Sequence, residues 1–139
     1  MTTRILDLAQ ISGSLNATTN AWWLYSIQFV VSDQDPTPVP LTGIEFSAEL
    51  RSPVEGVGVP LKLSTANGLL VKDDANGILT IAVPRSAAAG SFCMNRVPVS
   101  EADPYEMDIV ASDGAYEINL CQDGGPIQVT VREGVTRAE

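Results

Sequence analysis

The side chains that could carry out chemistry in this chain are carboxylates and two cysteines, because the sequence contains no histidine. Without histidine there can be no Ser-His-Asp triad, no Cys-His dyad and no histidine metal site. No Gly-x-x-x-x-Gly-Lys stretch occurs, which excludes a phosphate-binding loop of that type. The 17 acidic residues leave a paired-carboxylate glycosidase formally open. The acids alternate with apolar residues, however, as on a solvated strand face, so we expect no enzymatic activity.

The segment closest to a metal-binding loop is Asp73-Asp74-Ala75-Asn76-Gly77. Calcium loops place Asp and Asn at alternate positions with a Gly, but they also need a downstream Glu ligand and flanking helices. Because this segment has neither, it predicts a hairpin turn. Asp33 and Asp35 are predicted to be solvated loop charges. We therefore expect no metal site and no cofactor.

The two cysteines, Cys93 and Cys121, lie on different predicted elements. A bridge between them would close a loop of about 28 residues and stabilise the fold by about 3 kcal/mol. Such a bridge would form outside the cell. The favoured prediction is two free, partly buried thiols that pack as small apolar groups.

The composition limits the partners of this chain. Its 139 residues predict one domain with a core of its own. The net charge of -9, without a cluster of Lys and Arg, argues against binding to nucleic acid or to an anionic membrane. The start MTTRILDLAQ lacks the basic and apolar regions of a secretory signal, so we expect synthesis in the cytoplasm.

The last third of the chain contains three predicted β-strands in which apolar and polar residues alternate. Their predicted inward residues are Tyr105, Met107, Ile109 and Ala111, then Tyr116, Ile118 and Leu120, then Ile127, Val129 and Val131. Asp113-Gly114 predicts a two-residue type I′ turn between the first two strands, and residues 123–126 predict the second turn. This pattern predicts an antiparallel meander.

The preceding part of the chain also has the pattern of strands. Residues 21–31 are predicted to form a central strand with Trp23, Tyr25, Ile27, Phe29 and Val31 on one face. Residues 43–51 alternate clearly, with Ile44, Phe46, Ala48 and Leu50 inward. Weaker strands are predicted at residues 61–63 and 69–71, and residues 78–83 are apolar on both faces, as in a buried strand.

Three connections separate these strands. Residues 33–40 are rich in proline and are predicted not to continue a ladder, and residues 53–60 are predicted to form a loop. Residues 84–90 begin with proline, continue with alanines and end with glycine, which predicts one short connecting helix. The elements together predict an all-β fold, an antiparallel β-sandwich of seven to nine strands.

The N-terminal 21 residues are predicted to form an arm that precedes the sandwich domain of residues 22–139. Ser12-Gly13-Ser14 interrupts any helical period around the apolar residues Ile5, Leu6 and Leu8. We expect these three residues to contact a neighbouring subunit. Trp22 is predicted to point away from Trp23, where it is either covered by the arm or serves as an interface anchor.

A series of motif positions follows the alanine-rich turn in the C-terminal part of the chain. They are Tyr105, Asp108, Ile109, Asp113, Gly114, Gly125, Val129, Val131, Val135, Thr136 and Arg137. This series resembles a small family of tailed-bacteriophage virion proteins, in which a turn rich in Thr, Ser and Ala precedes a Tyr-x-x-Asp-Ile strand, an Asp-Gly turn, a Leu-x-x-Gly strand entry and a terminal Val-x-x-Gly-Val-Thr-Arg. The resemblance extends from Gly43 onward, and the N-terminal arm departs from it.

What the resemblance implies is an immunoglobulin-like β-sandwich in a phage particle. Such a protein would be a noncatalytic adaptor or decoration protein of the collar, tail tip or baseplate that anchors fibres or spikes. Its partners would be other virion proteins and further copies of itself, and Arg137 would contact an acidic neighbour. The alternatives are a carbohydrate-binding sandwich that contacts the host surface and a cellular adhesion or secretion module.

Overall fold

The structure is a computed structural model, and it describes residues 8, 11, 13–32, 34–52, 61–88, 91–99, 104–122 and 125–133. These residues form an all-β fold with several antiparallel sheets. The strands are β1 (Ser14–Thr18), β2 (Trp23–Gln28), β3 (Val30–Ser32), β4 (Asp35–Pro38), β5 (Glu45–Arg51), β6 (Leu61–Ser64), β7 (Leu70–Asp73), β8 (Ile78–Val83), β9 (Tyr105–Ser112), β10 (Glu117–Asn119) and β11 (Ile127–Arg132). The described strands number eleven, of which six form one sheet, three a second and two a third.

The largest sheet, which we call the main sheet, has the order β1-β11-β9-β5-β6, and β10 also pairs with β9. Its long strands are those whose alternation was clearest in the sequence. The inward residues of β5, β9 and β11 are each at most 5% exposed, which confirms the predicted faces of all three strands. Neighbours in this sheet are antiparallel except β1 and β11, which are parallel and pair from Ser14 with Gln128 to Thr18 with Arg132.

The predicted meander of the last three strands is wrong. β10 pairs with residues 110–112 of β9, and β11 pairs with residues 105–107 of the same strand. The two strands therefore follow each other along one edge of β9 rather than lying side by side. β10 has only three residues, so it leaves half of that edge free for β11.

The turn between β9 and β10 also differs from the prediction. Ser112 pairs with Glu117, so the connection has four residues instead of two. Gly114 has a φ of +94°, but no residue other than glycine has a positive φ in the described chain, whereas a type I′ turn needs positive φ at both central positions. The Asp113 carboxylate closes the turn by accepting hydrogen bonds from the backbone N–H groups of Ala115 and Tyr116.

A second, three-stranded sheet has the order β2-β8-β7, which makes β2 an edge strand and not the predicted central strand. The hairpin turn predicted at Asp73 to Gly77 is confirmed, since Asp73 pairs with Ile78. Gly77 is required there, because it has a φ of +65° and a Cβ atom at this position would lie 2.5 Å from the Val39 carbonyl oxygen. Lys72 of β7 reaches towards β5, where its ammonium donates to the Ile44 carbonyl oxygen at 2.6 Å.

The inward residues of both sheets belong to one hydrophobic core. Trp23, Leu79 and Ile81 of the three-stranded sheet are at most 4% exposed, as are Phe46 and Ile109 of the main sheet. Phe29, which follows β2, stacks on Phe46 of β5 with the ring centroids 5.9 Å apart. This contact joins the segment after β2 to the centre of the main sheet.

The proline-rich segment after β3 does form a ladder, contrary to the prediction. β4 pairs with β3 in a two-stranded sheet whose register shifts between Val30 and Ser32. Pro36 and Pro38 are tolerated because a two-stranded ribbon has edges on which a missing N–H group costs no bond. The predicted loop at residues 53–60 lies outside the described residues.

The predicted connecting helix is also absent from residues 84–88, and residues 89 and 90 lie outside the described part. The reason is that its carbonyl groups bond elsewhere. The carbonyl oxygens of Pro84 and Arg85 accept from the N–H groups of Met94 and Asn95, and those of Ala87 and Ala88 accept from the Arg96 guanidinium. The helix observed in the described chain is a 3₁₀ turn at Met94–Arg96.

Candidate functional site

The residues predicted to form an interface have different positions in the structure. Leu8 is 7% exposed and belongs to the hydrophobic core of its own chain. Trp22 is 57% exposed, whereas its neighbour Trp23 is 4% exposed. Ile5, Leu6 and Arg137 lie outside the described residues. Of the two predicted interface residues that the structure describes, Trp22 is exposed and Leu8 is buried.

Trp22 belongs to a larger apolar surface that the sequence analysis did not identify. On the outer side of the three-stranded sheet, Leu24 of β2 pairs with Ala82 of β8, and Val71 of β7 pairs with Thr80. Leu24 is 64% exposed and Val71 is 50% exposed. We call this surface, formed by Trp22, Leu24, Val71 and Ala82, the apolar face.

The apolar face carries no charged side chain. Polar side chains lie in the same row as Val71, since its partner Thr80 also pairs with Ser26 and the two hydroxyl groups form a hydrogen bond of 2.9 Å. Further along, the side-chain amide of Gln28 donates to the Asn76 carbonyl oxygen at 3.0 Å. An uncharged face with exposed apolar side chains favours contact with another protein surface.

A second candidate surface is a groove of about 800 Å³ on the outer side of the main sheet. Its floor is formed by outward residues that are aligned across β9, β5 and β6, such as Asp108, Glu49 and Lys62 in one row. Half-buried Phe92, from the loop before β9, also lines it.

The charged residues of the groove are four carboxylates, on Glu49, Glu106, Asp108 and Glu117, and two cations, on Arg51 and Lys62. Arg51 forms an ion pair with Glu49. The Asp108 carboxylate has no ion pair or hydrogen bond to a described side chain, so it can accept bonds from a ligand. The groove suits a neutral, hydroxyl-rich ligand, because its carboxylates accept and its serine hydroxyl groups donate hydrogen bonds.

The carboxylates that the sequence analysis considered as metal ligands accept hydrogen bonds that stabilise backbone turns. Asp73 accepts hydrogen bonds from the backbone and side-chain N–H groups of Asn76 at 3.3 and 2.8 Å. The Asp35 carboxylate accepts from the Thr37 hydroxyl at 2.6 Å and from the Thr37 backbone N–H, and these bonds lower the pKa of Asp35. Asp33 lies outside the described residues. In the described part of the chain, no three residues of the types His, Cys, Asp and Glu form a group that could hold a metal ion.

Both cysteines are free thiols in the structure, and both are buried, in agreement with the favoured prediction. Burial raises the pKa of the Cys121 thiol. The Cys93 thiol donates to the side-chain oxygen of Asn95 at 3.0 Å. Burial also raises the pKa of Tyr105, whose hydroxyl donates to the Pro98 carbonyl oxygen at 2.7 Å. A raised pKa keeps a thiol protonated and weakly nucleophilic, and Cys121 packs in the hydrophobic core.

Among the helices that the described residues form, none has the length and apolar character to cross a membrane. A comparison with protein-family models gave no match, and a comparison with curated proteins gave no significant match. The resemblance to tailed-phage virion proteins therefore stays a prediction.

Proposed function

We propose that this chain is a noncatalytic structural protein of a tailed-phage particle. It is an adaptor or decoration protein of the collar, tail tip or baseplate that anchors fibres or spikes, and its partners are other virion proteins. The proposal is supported by the residues of the resemblance. The structural observation that carries it is the apolar face, where Trp22, Leu24 and Val71 are each at least half exposed. Exposed apolar patches of this kind mark surfaces that bind other proteins.

The fold proposed with this function is an immunoglobulin-like β-sandwich. The inward faces of the main sheet and the three-stranded sheet contribute to one core, as the two layers of a sandwich do. Such a domain is a rigid scaffold on which surface residues determine the partner.

The location of the chain can be tested on purified particles of the phage that encodes it. We expect mass spectrometry to detect the chain in infectious particles, and gold-labelled antibody to mark the collar or one end of the tail in electron micrographs. Infectious particles that lack the chain would refute the proposed function.

The role of the apolar face can be tested by competition during assembly. Leu24→Lys places a charge in the apolar face, and we expect it to reduce incorporation into particles at least tenfold. Tyr116→Lys is the matched control, because Tyr116 is 74% exposed on the turn between β9 and β10. Equal incorporation of both variants would argue against an assembly role for the apolar face.

The groove on the main sheet favours carbohydrate binding as a second candidate function. Carboxylates and serine hydroxyl groups can bond sugar hydroxyls, and an aromatic ring such as that of Phe92 can pack against the apolar side of a sugar. If this candidate is correct, the purified chain binds a defined set of glycans on an array, Asp108→Ala abolishes binding, and Leu24→Lys leaves it unchanged. No binding on the array, or equal binding by all three proteins, would count against it.

A further inference from the structure

The free edge of β2 lacks the features that protect edge strands in soluble proteins. Residues 21–32 contain no charged residue, no proline and no glycine. Natural edge strands usually carry a charge, a proline or a bulge, because an unprotected edge pairs with other chains. Two other edge strands, β6 and β7, have four residues each and contain Lys62 and Lys72. β2 is longer, and within the described part of the chain no strand pairs with its outer side.

β2 also exposes apolar side chains on both of its faces. Leu24 on the outer face is 64% exposed. Tyr25 pairs with Ile81, which is fully buried on the inner face, yet Tyr25 itself is 45% exposed. The hydrophobic core therefore does not cover Tyr25 at this edge of the sheet. A strand added beside β2 would bury Leu24 and Tyr25 together and would satisfy the backbone groups of the edge.

We propose that this added strand is β2 of a second copy of the chain, paired antiparallel with the first. The two three-stranded sheets would then form one continuous six-stranded sheet, as in strand addition to an exposed sheet edge. This inference goes beyond the proposed virion role and does not depend on it, since it concerns the purified chain alone.

The uncharged edge of β2 lets a second copy approach in spite of the charge of the molecule. Each copy carries a net charge of -9, so two copies repel each other unless they meet at an uncharged surface. β2 offers such an edge, because none of its residues is charged. A strand is also complementary to itself when the two copies are related by a two-fold axis perpendicular to the sheet. That axis keeps both apolar faces on the same side, so Trp22 and Leu24 of the two copies form one larger patch.

The mass of the chain in solution tests whether the pair forms. We expect sedimentation equilibrium to show a reversible increase from the monomer mass of 14.7 kDa towards twice that value as concentration rises. The double variant Leu24→Lys, Tyr25→Lys places like charges on the paired edges and is expected to weaken association at least 100-fold. Tyr116→Lys should associate like the unchanged chain. A monomer at every concentration, or equal association of a folded double variant, overturns the proposal.

A cross-link tests the position of the contact separately. In the proposed pair Tyr25 lies close to the two-fold axis, so Tyr25→Cys should form a disulfide between copies under mild oxidation. Tyr116→Cys, at a position that is more exposed than Tyr25 but lies on the turn between β9 and β10, should stay monomeric on a non-reducing gel. A disulfide that forms as readily through Tyr116→Cys, or that fails to form through Tyr25→Cys in a chain that dimerises, would place the contact elsewhere. Neither result changes the expected detection of the chain in purified particles, which tests the virion role separately.

Discussion

Lys72 connects the three-stranded sheet to the segment before β5 by polar contacts. Its side chain is only 15% exposed, and its ammonium donates to the carbonyl oxygens of Ile44 and Leu41 and lies 3.2 Å from the Asp74 carboxylate. A lysine at this depth satisfies two backbone acceptors and one carboxylate at the same time. The contacts therefore hold the segment before β5 against β7.

Replacement of Lys72 tests this role. We expect Lys72→Met to lower the free energy of unfolding by about 1–3 kcal/mol, because buried carbonyl groups lose their donor while the side chain keeps its apolar length. Lys62→Met is the control. Because Lys62 is exposed, this variant should change the free energy of unfolding by no more than about 0.5 kcal/mol. Urea unfolding measures both. An equal loss in the two variants would mean that Lys72 acts only through the charge of the molecule.

Strand β1 shows that part of the predicted N-terminal arm belongs to the main sheet. Ser14–Thr18 pair with β11, and Ala17 is 6% exposed opposite fully buried Val131. Asn16 on the same strand is exposed. The strand thus has a buried face and a solvated face within five residues.

A matched pair of substitutions distinguishes the two faces of β1. Ala17→Asp buries an unpaired carboxylate and is expected to lower the free energy of unfolding by about 3 kcal/mol. Asn16→Asp adds the same charge on the solvated face and should change it by about 0.5 kcal/mol or less. Thermal unfolding of both variants provides the measurement. A small effect of Ala17→Asp would show that β1 is detached from the sheet in solution.

The strands that could be predicted from the sequence are those with one buried and one solvated face. In β5, β9 and β11 the period of two follows directly from burial on a single side, so the inward residues were predicted correctly. Residues 21–31 were correctly predicted to contain a strand, but the predicted inward face was wrong in part, because Tyr25 and Val31 of that face are exposed. The parallel pair of β1 with β11 depends on a distant partner, which local periodicity does not encode. The short strand β4 pairs with the neighbouring strand β3, and it was missed because its prolines argued against a ladder.

The two candidate surfaces were missed for the same reason. The groove aligns side chains from β5, β6 and β9, and the apolar face combines Leu24 of β2 with Ala82 of β8 and Val71 of β7. Each residue alone resembles an ordinary surface position, and the register between strands brings them together. Trp22 could be identified earlier, because a second tryptophan directly beside Trp23 has to point to the opposite side.

For the whole molecule, the shifted pKa values define a pH range of stability. Burial raises the pKa of Cys121 above its usual 9.0 and that of Tyr105 above 10.0. The folded state holds these protons more tightly, so the stability they contribute is present below the unfolded pKa and is lost as pH rises through the folded pKa. Backbone hydrogen bonds from Tyr116 and Ala115 lower the pKa of Asp113 from 3.8. Its contribution is present above that value and is lost as pH falls through the folded pKa.

We therefore expect the free energy of unfolding to be nearly constant from about pH 5 to about pH 8 and to fall on both sides. Urea unfolding across this range provides the measurement. In Cys121→Ala the free energy of unfolding should begin to decrease at a higher alkaline pH, and its decrease at acid pH should be unchanged. In Asp113→Asn only the decrease at acid pH should become smaller. An unchanged alkaline profile in Cys121→Ala would mean that the thiol has the same pKa in the folded and the unfolded state.

The parallel pair of β1 and β11 also determines when the main sheet can be completed during synthesis. β1 leaves the ribosome before every other described strand, and its partner leaves after all of them. Contacts between segments so far apart form slowly, because a long loop has to close first. A nascent chain that has not yet reached Ile127 therefore keeps β1 unpaired, together with the edge of β9 that β11 later occupies. Until that moment the chain is open to capture by neighbouring nascent chains on the same messenger RNA.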